Sequence, residues 1–240
     1  MNQEQNWLLQ DKYNGIKSDE FFADIKRLES GIPLAYIIGW VPFCGVKIYL
    51  DSHPLIPRPE TEYWTMLAVE KTKVIKNPKV LDLCAGSGCI GVAVLKHNPE
   101  SFVDFVEIDE NHHSTIKKNI QENDIDLNRT RMLGGSLFQN IVDQYDLILT
   151  NPPYIDPKLS DRIGESVRGH EPDLALFGGN EGMELIMEIL SKIDQFLKPG
   201  GMLYIEHEPE QAEMIKELLP GIESVTDQFD IIRFSVYKKS

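Results

Sequence analysis

Cysteine, positive charge and long apolar runs are all scarce in this chain of 240 residues. The three cysteines, Cys44, Cys84 and Cys89, are odd in number, with no Cys-x-x-Cys spacing and no paired histidines beside them. That pattern excludes a disulfide framework and offers no zinc site, so the thiols are expected as small buried apolar residues and no metal is expected. His112 and His113 fall in a polar segment of helical character, where adjacent residues point in different directions, and read as a surface pair. No apolar stretch approaches the ~18 residues needed to span a bilayer. The polar start Met1-Asn2-Gln3-Glu4-Gln5 lacks a basic-then-apolar signal pattern, so a cytoplasmic protein without membrane contact is expected, and separately a monomer. Against 38 Asp and Glu stand only 24 Lys and Arg, a net charge of −14 that repels a polyanion unless a basic patch overrides it. The densest basic clusters, Lys71/Lys73/Lys76/Lys79 and Lys238-Lys239, are diluted by neutral residues. Direct nucleic-acid binding is therefore not expected.

What is present reads as one α/β domain with a small appendage. Residues 1–54 are predicted as a truncated N-terminal helical segment with a β-hairpin, and residues 55–240 as the main domain. Ser18 is a plausible N-cap for a helix carrying Phe21, Phe22, Ile25 and Leu28 on one face and stopping before Gly31. Residues 34–50, rich in Tyr, Ile, Val and Phe and broken by Gly39, Pro42 and Gly45, predict the hairpin. Pro59 suits the first turn of a helix reaching about Lys73. Beyond it, strands at 80–83, 102–107, 131–133 and 145–150 alternate with helices at 88–97 and 111–122, the pattern of a parallel sheet covered on both faces. Residues 151–180 show no regular pattern, and a structureless stretch of about thirty residues inside a domain is more often functional than not. A helix at 182–197, a strand at 202–206, a helix at 209–219 and an antiparallel pair at 223–226 and 231–237 complete the chain.

Two segments carry chemistry. Val80 to Gly91 is a strand, a glycine-bearing turn and a helix start; Gly86 and Gly88 remove side chains where the backbone turns sharply and approaches a ligand. Gly86-Ser87-Gly88-Cys89-Ile90-Gly91 also satisfies a dinucleotide fingerprint, so the glycines alone do not choose between NAD and S-adenosylmethionine. The acid Asp82, four residues before the first glycine, would repel a pyrophosphate but suits a sulfonium and an amino group. Glu107, ending the next strand, is placed to accept from ribose hydroxyls, with Asp109 a second candidate. The other segment is Asn151-Pro152-Pro153-Tyr154, at the carboxyl edge of the sheet, where open α/β folds bind ligands. Its prolines carry no N–H, so their carbonyls face the site without competing donors. The Asn151 side-chain oxygen and the Pro152 carbonyl can accept the two N–H bonds of a planar nitrogen while Tyr154 packs on its face; positioning then carries the transfer and no strong general base is needed. Amides and nucleobases are equally admissible acceptors for that tetrapeptide.

On these motifs, and on Gly31 to Gly39, Leu55-Ile56-Pro57-Arg58-Pro59-Glu60-Thr61-Glu62, Glu171 to Leu176 and Gly178 to Met183, the chain resembles the HemK/PrmC family of peptide chain release factor glutamine N5-methyltransferases across residues 31–236. The resemblance implies the class I S-adenosylmethionine-dependent methyltransferase fold, a Rossmann-like, seven-stranded, mostly parallel sheet with an antiparallel last strand. It implies S-adenosyl-L-methionine as donor, S-adenosyl-L-homocysteine as product, and the glutamine of the Gly-Gly-Gln loop of release factors as acceptor. By matching motifs, Cys84, Ala85, Gly86, Ser87, Gly88 and Glu107 would contact the cofactor beside Asp82 and Asn151, Leu137 would lie beside its adenine, and Asn151, Pro152, Pro153 and Tyr154 would bind the glutamine amide. Glu107 stands where the family usually has Asp, Ser136 where it has an acid, and only about thirty residues precede Gly31-Ile32-Pro33-Leu34, where the family carries a helical domain. A ribosomal-protein glutamine, a nucleic-acid adenine N6, and an interaction module without catalysis are the competing readings; net charge disfavours the second, the intact tetrapeptide the third.

Overall fold

Seven strands share one sheet in the computed structural model of the chain, which describes residues 1–164 and 166–240. Three helices and a hairpin come before the main body. Asn2 opens α1 (Gln3–Asp11) with a capping box, its side chain accepting from the Gln5 N–H while Gln5 accepts from the Asn2 N–H. Ser18 caps α2 (Asp19–Glu29) as expected, and α3 (Leu34–Ile38) ends at the left-handed Gly39, φ 91°. Leu8, Leu9, Phe21 and Ile37 close a small core of their own, with the buried Asp24 held by Lys12, Tyr13 and Arg27. The hairpin, β1 (Trp40–Phe43) and β2 (Val46–Tyr49), is therefore shorter than expected: residues 34–38 coil because Gly39 lets the chain reverse before the first strand.

The main body runs α4 (Pro59–Thr72), β3 (Lys79–Leu83), α5 (Cys89–His97), β4 (Phe102–Glu107), α6 (His112–Glu122), β5 (Thr130–Gly134) and β6 (Tyr145–Thr150). After α7 (Asp173–Leu176) come α8 (Glu184–Phe196), β7 (Leu197–Glu206), α9 (Ala212–Leu218), β8 (Glu223–Thr226) and β9 (Ile232–Lys238). The sheet order is β5-β4-β3-β6-β7-β9-β8, with β9 antiparallel to both of its neighbours and the other pairings parallel. Val80, Leu81, Leu83, Leu147, Ile148 and Leu149 are all fully buried, as strands covered on both faces require. One face packs under α4 and α5 around Trp64, Ala68 and Val92, the other under α8 and α9 around Ile186, Ile189 and Ile215. The edge of β2 is covered by amides of α6: Asn123 accepts from the Lys47 N–H and Asn119 from the Tyr49 N–H.

Two further expectations are corrected. His112 is buried, its Nδ1 2.7 Å from Ser52 Oγ, because α6 turns it under the chain that enters the main body. The described residues after β6 include regular pieces: a 3-10 turn at Pro157–Arg162, α7, and a second turn at Asn180–Gly182, with a bridge between Ile155 and Phe177. Short apolar anchors, not long periodic runs, hold these pieces, so periodicity could not show them.

The order of strands decides where a ligand can sit. Both β4 and β6 pair with β3 in parallel, so the winding reverses direction between β3 and β6 and leaves a crevice at their carboxyl ends. Leu83 pairs with Thr150, so Cys84 and Asn151 leave the sheet side by side.

Candidate functional site

Two cavities meet at this crevice. The smaller, about 180 Å³, is walled by Cys84, Gly86, Glu107, Leu137, Asn151 and Pro153, among others. At its floor the turn after β3 takes two left-handed residues, Cys84 (φ 63°) and Gly86 (φ 53°), and a Cβ added at Gly86 would meet only open space. Holding a non-glycine residue such as Cys84 there costs roughly 1–2 kcal/mol, a strain that the surrounding turn must fix in place. Burial pushes the Cys84 thiol up to about 12, so it stays protonated and is no nucleophile.

The Glu107 carboxylate faces the same turn, one oxygen accepting from the Gly86 N–H at 2.7 Å and the other from the Asp109 N–H at 2.9 Å. Each oxygen keeps a lone pair for a hydroxyl of a ligand. Val106, Ile108 and the left-handed Leu137 (φ 46°) supply apolar walls nearby, beside Ser136 and Asp109. Open space at Gly86, a carboxylate at the strand end and an apolar wall fit the ribose and adenine of S-adenosylmethionine.

The remaining turn residues lie behind this wall. Asp82 is fully buried, with Oδ2 accepting from the Gly91 N–H at 2.8 Å and Oδ1 without a hydrogen bond among the described residues. Burial, with the charge of Glu107 adding and the Gly91 N–H opposing, pushes its carboxyl up to about 8. Ala85 donates its N–H to the Val106 carbonyl, Ser87 is buried beneath Asn119, and Gly88 (φ 76°) caps α5 where a Cβ would press on Ile116 and Phe105. Gly91 lets α5 approach β4, since a Cβ there would collide with the Phe105 ring. The structure thus brings Cys84, Gly86, Glu107, Leu137, Asn151 and Pro153 to one cavity and sets Asp82, Ala85, Ser87 and Gly88 behind it.

The larger cavity, about 560 Å³, is walled by Asn151, Pro152 and Tyr154, so Asn151 belongs to both. The backbone of the tetrapeptide is braced from outside. A Cβ at Gly178 would overlap the Pro153 carbonyl, one at Gly182 (φ 69°) would overlap the Tyr154 carbonyl, and Gln211 Nε2 donates to that same carbonyl at 2.9 Å. Among the described residues none donates to the Pro152 carbonyl, which leaves it free for a ligand. Arg58 Nη2 pairs with Glu171 Oε1 at 2.6 Å and the Ile56 N–H donates to Glu171 Oε2 at 2.9 Å, which ties the segment before α4 to the one before α7 over the cavity.

Sequence reasoning missed Glu206. This carboxylate ends β7 fully buried, with Oε2 accepting from Thr61 Oγ1 and Trp64 Nε1 at 2.7 Å each and Oε1 from Tyr154 Oη at 3.0 Å. Burial pushes it up to about 7, against the three donors and with Glu60 adding. Burial, with the charge of Glu206 adding, also holds the Tyr154 phenol well above its ordinary range, so it remains a donor. The one available signal was a carboxylate closing the otherwise apolar strand at 202–206. No group of His, Cys, Asp and Glu arranged to hold a metal occurs among the described residues, and no helix is long and apolar enough to cross a membrane.

Residues 63–167 match the family model of the methyltransferase small domain. The chain is 32% identical over 198 residues to the release factor glutamine methyltransferase of Streptomyces coelicolor, covering 81% of this chain and 69% of that relative. To the enzyme of the same name from Streptococcus pneumoniae it is 31% identical over 228 residues, covering 92% and 80%. In fold it is similar to a ribosomal protein L11 methylase from Lactobacillus delbrueckii subsp. bulgaricus, with a TM-score of 0.57, 16% identity, and 79% and 83% of the two chains covered. A 16S rRNA N2 G1207 methyltransferase of T. thermophilus, solved with AdoMet and guanosine, also gives 0.57 at 16% identity, covering 84% of this chain and 50% of that one. These likenesses assign the sheet to the class I S-adenosylmethionine-dependent methyltransferase fold. With the two cavities meeting at Asn-Pro-Pro-Tyr and relatives matched over more than two thirds of their length, the chain belongs to the release factor glutamine methyltransferase family.

Proposed function

We propose that this protein methylates the side-chain amide nitrogen of a glutamine in a peptide chain release factor, at the Gly-Gly-Gln loop, with S-adenosylmethionine as donor. The observation that carries the reading is that Asn151, with the apolar Leu55 and Ala175, walls both cavities, so a donor in the smaller and an acceptor in the larger meet beside a single polar side chain. When bound, S-adenosylmethionine supplies a methyl group on a sulfonium and so needs no metal. Glu107 would hold its ribose, Leu137 would pack beside its adenine, and Cys84 and Gly86 would form the floor under it; all four wall the smaller cavity.

On the acceptor side, the Asn151 side-chain oxygen and the Pro152 carbonyl each accept one N–H of the glutamine amide. That fixes the amide plane and keeps electron density on the nitrogen. Catalysis is then mainly positioning, with the tetrapeptide held by Gly178, Gly182 and Gln211: the nitrogen gains the methyl as S-adenosyl-L-homocysteine leaves, and one of its two protons is then lost to water. The rim of the acceptor cavity carries Glu60, Asp156, Glu181, Glu208 and Glu210 against Arg58 and Arg162. Arg58 is engaged by Glu171 and Arg162 faces Glu210, so the mouth is acidic and opposes a phosphate backbone. This favours a protein loop over a flipped nucleobase.

The test is to incubate the enzyme with labelled S-adenosylmethionine and purified release factor, ribosomal protein or DNA, and to locate the label by mass spectrometry. Label on the Gly-Gly-Gln glutamine is the expected result. Label only on a ribosomal protein or on adenine would overturn it.

A further inference from the structure

Beneath Asn151 three segments distant in sequence converge on one buried carboxylate. Glu206 at the end of β7 accepts from Thr61 Oγ1 and Trp64 Nε1 of α4 and from Tyr154 Oη of the tetrapeptide. The direction of each bond follows from the inventory of protons. Trp64 Nε1 can only donate and an ionised Glu206 can only accept, so above about pH 7 the single proton of the Thr61 hydroxyl lies toward Glu206 at 2.7 Å. The Thr61 oxygen can then only accept from its other neighbour. That neighbour is Asn151, whose Nδ2 donates to it at 3.2 Å. With its nitrogen turned to Thr61, Asn151 directs its oxygen the other way.

We propose that Thr61 and Glu206 are positioning residues for methyl transfer: their hydrogen-bond chain fixes which end of the Asn151 amide faces the acceptor. The proposal rests on the glutamine-amide reading above. A flipped Asn151 would set its NH₂ against the NH₂ of the incoming glutamine, donor against donor, and an amide by itself has little preference between the two ends. The same carboxylate holds Tyr154 in register, so one buried anion orients both side chains that frame the acceptor. Of these residues, Asn151 alone walls the smaller cavity. Disturbing the chain should therefore act on the transfer step and spare donor binding.

Thr61→Val keeps the shape and removes the hydroxyl; Thr61→Ser keeps the hydroxyl and removes a buried methyl. At about pH 8, with saturating full-length release factor and labelled donor varied, Thr61→Val should lower kcat about tenfold, the rate equivalent of one lost hydrogen bond, with KM for the donor within about twofold. Thr61→Ser should keep kcat within about twofold although it melts lower. A purely structural role predicts the opposite ranking, with activity following melting temperature, and that outcome, or a Thr61→Val enzyme of wild-type kcat, overturns the proposal. Should Thr61→Val fail to fold, Thr61→Ala set beside Thr61→Ser repeats the comparison at smaller volume. An acceptor-independent reading comes from NMR of the Asn151 side-chain amide, whose proton shifts should depart from free-amide values in wild type and in Thr61→Ser and return toward them without the hydroxyl. Unchanged shifts also overturn the proposal. Wild-type enzyme that leaves release factors unmodified would refute the substrate reading alone, and the NMR comparison would still decide the hydrogen-bond chain.

Discussion

Replacing Glu206 by glutamine removes a buried charge while conserving shape, and its effect on stability should depend on pH in a calculable way. In the folded chain burial moves this carboxyl from its ordinary 4.5 up to about 7. Between those values the native state binds a proton that the unfolded chain has lost, so stability falls as pH rises. The sign is fixed: the contribution is fully present below 4.5 and is lost as pH passes through about 7. At about 1.4 kcal/mol per pH unit the loss is about 3 kcal/mol. The glutamine side chain of the variant cannot ionise and escapes it. Below pH 4.5 the two proteins should agree within about 1 kcal/mol, because a protonated Glu206 and a glutamine each offer a donor and a carbonyl to the same partners. Other titrating groups, Asp82 among them, are present in both proteins and cancel in the difference. For a chain of this length about 1 kcal/mol moves the midpoint by roughly 2–4 °C, so Glu206→Gln should gain roughly 6–12 °C on wild type between about pH 4.5 and about pH 8. Circular dichroism melts of both proteins across that range measure it. A midpoint difference that stays flat with pH would refute the buried, costly carboxylate, and one that reverses would mean that its three donors outweigh desolvation.

Three further outcomes follow from the site. Asn151→Ala removes the acceptor that the amide plane is set by and should lower kcat about 10²-fold, while calorimetry finds most of the donor affinity intact; unchanged turnover would contradict the orienting role. Glu107→Ala removes the carboxylate proposed to hold the ribose and should weaken S-adenosylmethionine binding about 10- to 100-fold by calorimetry, and an unaltered affinity would refute that assignment. Gly182→Ala places a methyl against the Tyr154 carbonyl and should cut kcat at least about tenfold, whereas Gly200→Ala, equally left-handed (φ 77°) but with open space, should cost only about 1 kcal/mol in melting experiments and leave kcat alone. Equal kcat losses in the two glycine variants would show that backbone strain, and not displacement of the tetrapeptide, is responsible.

How far each half of the site could be read from the chain follows from how it is assembled. The donor side is local. Leu81 to Gly88 and Glu107 lie on two consecutive strands and the turn after the first, and their hydrogen bonds, such as Gly86 N–H to Glu107, close over 21 residues. Motif spacing therefore places them together before any packing is known. The alternation of apolar strands and helices was legible for a related reason: strands buried on both faces are written as unbroken apolar runs. In α1 only Leu8 and Leu9 are buried, too few for a periodic face, and Asn2 with Gln5 was the one signal that could have announced it.

The acceptor side is built differently. Thr61 reaches Glu206 across 145 residues, Trp64 reaches it across 142, and Asn151 reaches Thr61 across 90. No spacing rule connects such positions, although Thr61 sits inside a motif that was recognised for its letters alone. Their meeting depends on α4 packing across β6 and β7, with Trp64 lying over Tyr204 and Phe234 at ring separations of 6.4 and 6.3 Å. The orientation of Asn151 is thus coupled to the packing of a core layer, while the donor cavity rests on a turn that closes on itself. Core substitutions that shift α4 should accordingly reduce methyl transfer before they weaken donor binding, because a displacement of about 1 Å suffices to misplace a reacting group yet leaves the Gly86–Glu107 turn untouched. The buried charge of Glu206 is a cost to stability that the fold retains where it sets the direction of a hydrogen-bond chain, which a hydrophobic residue of the same size could not do.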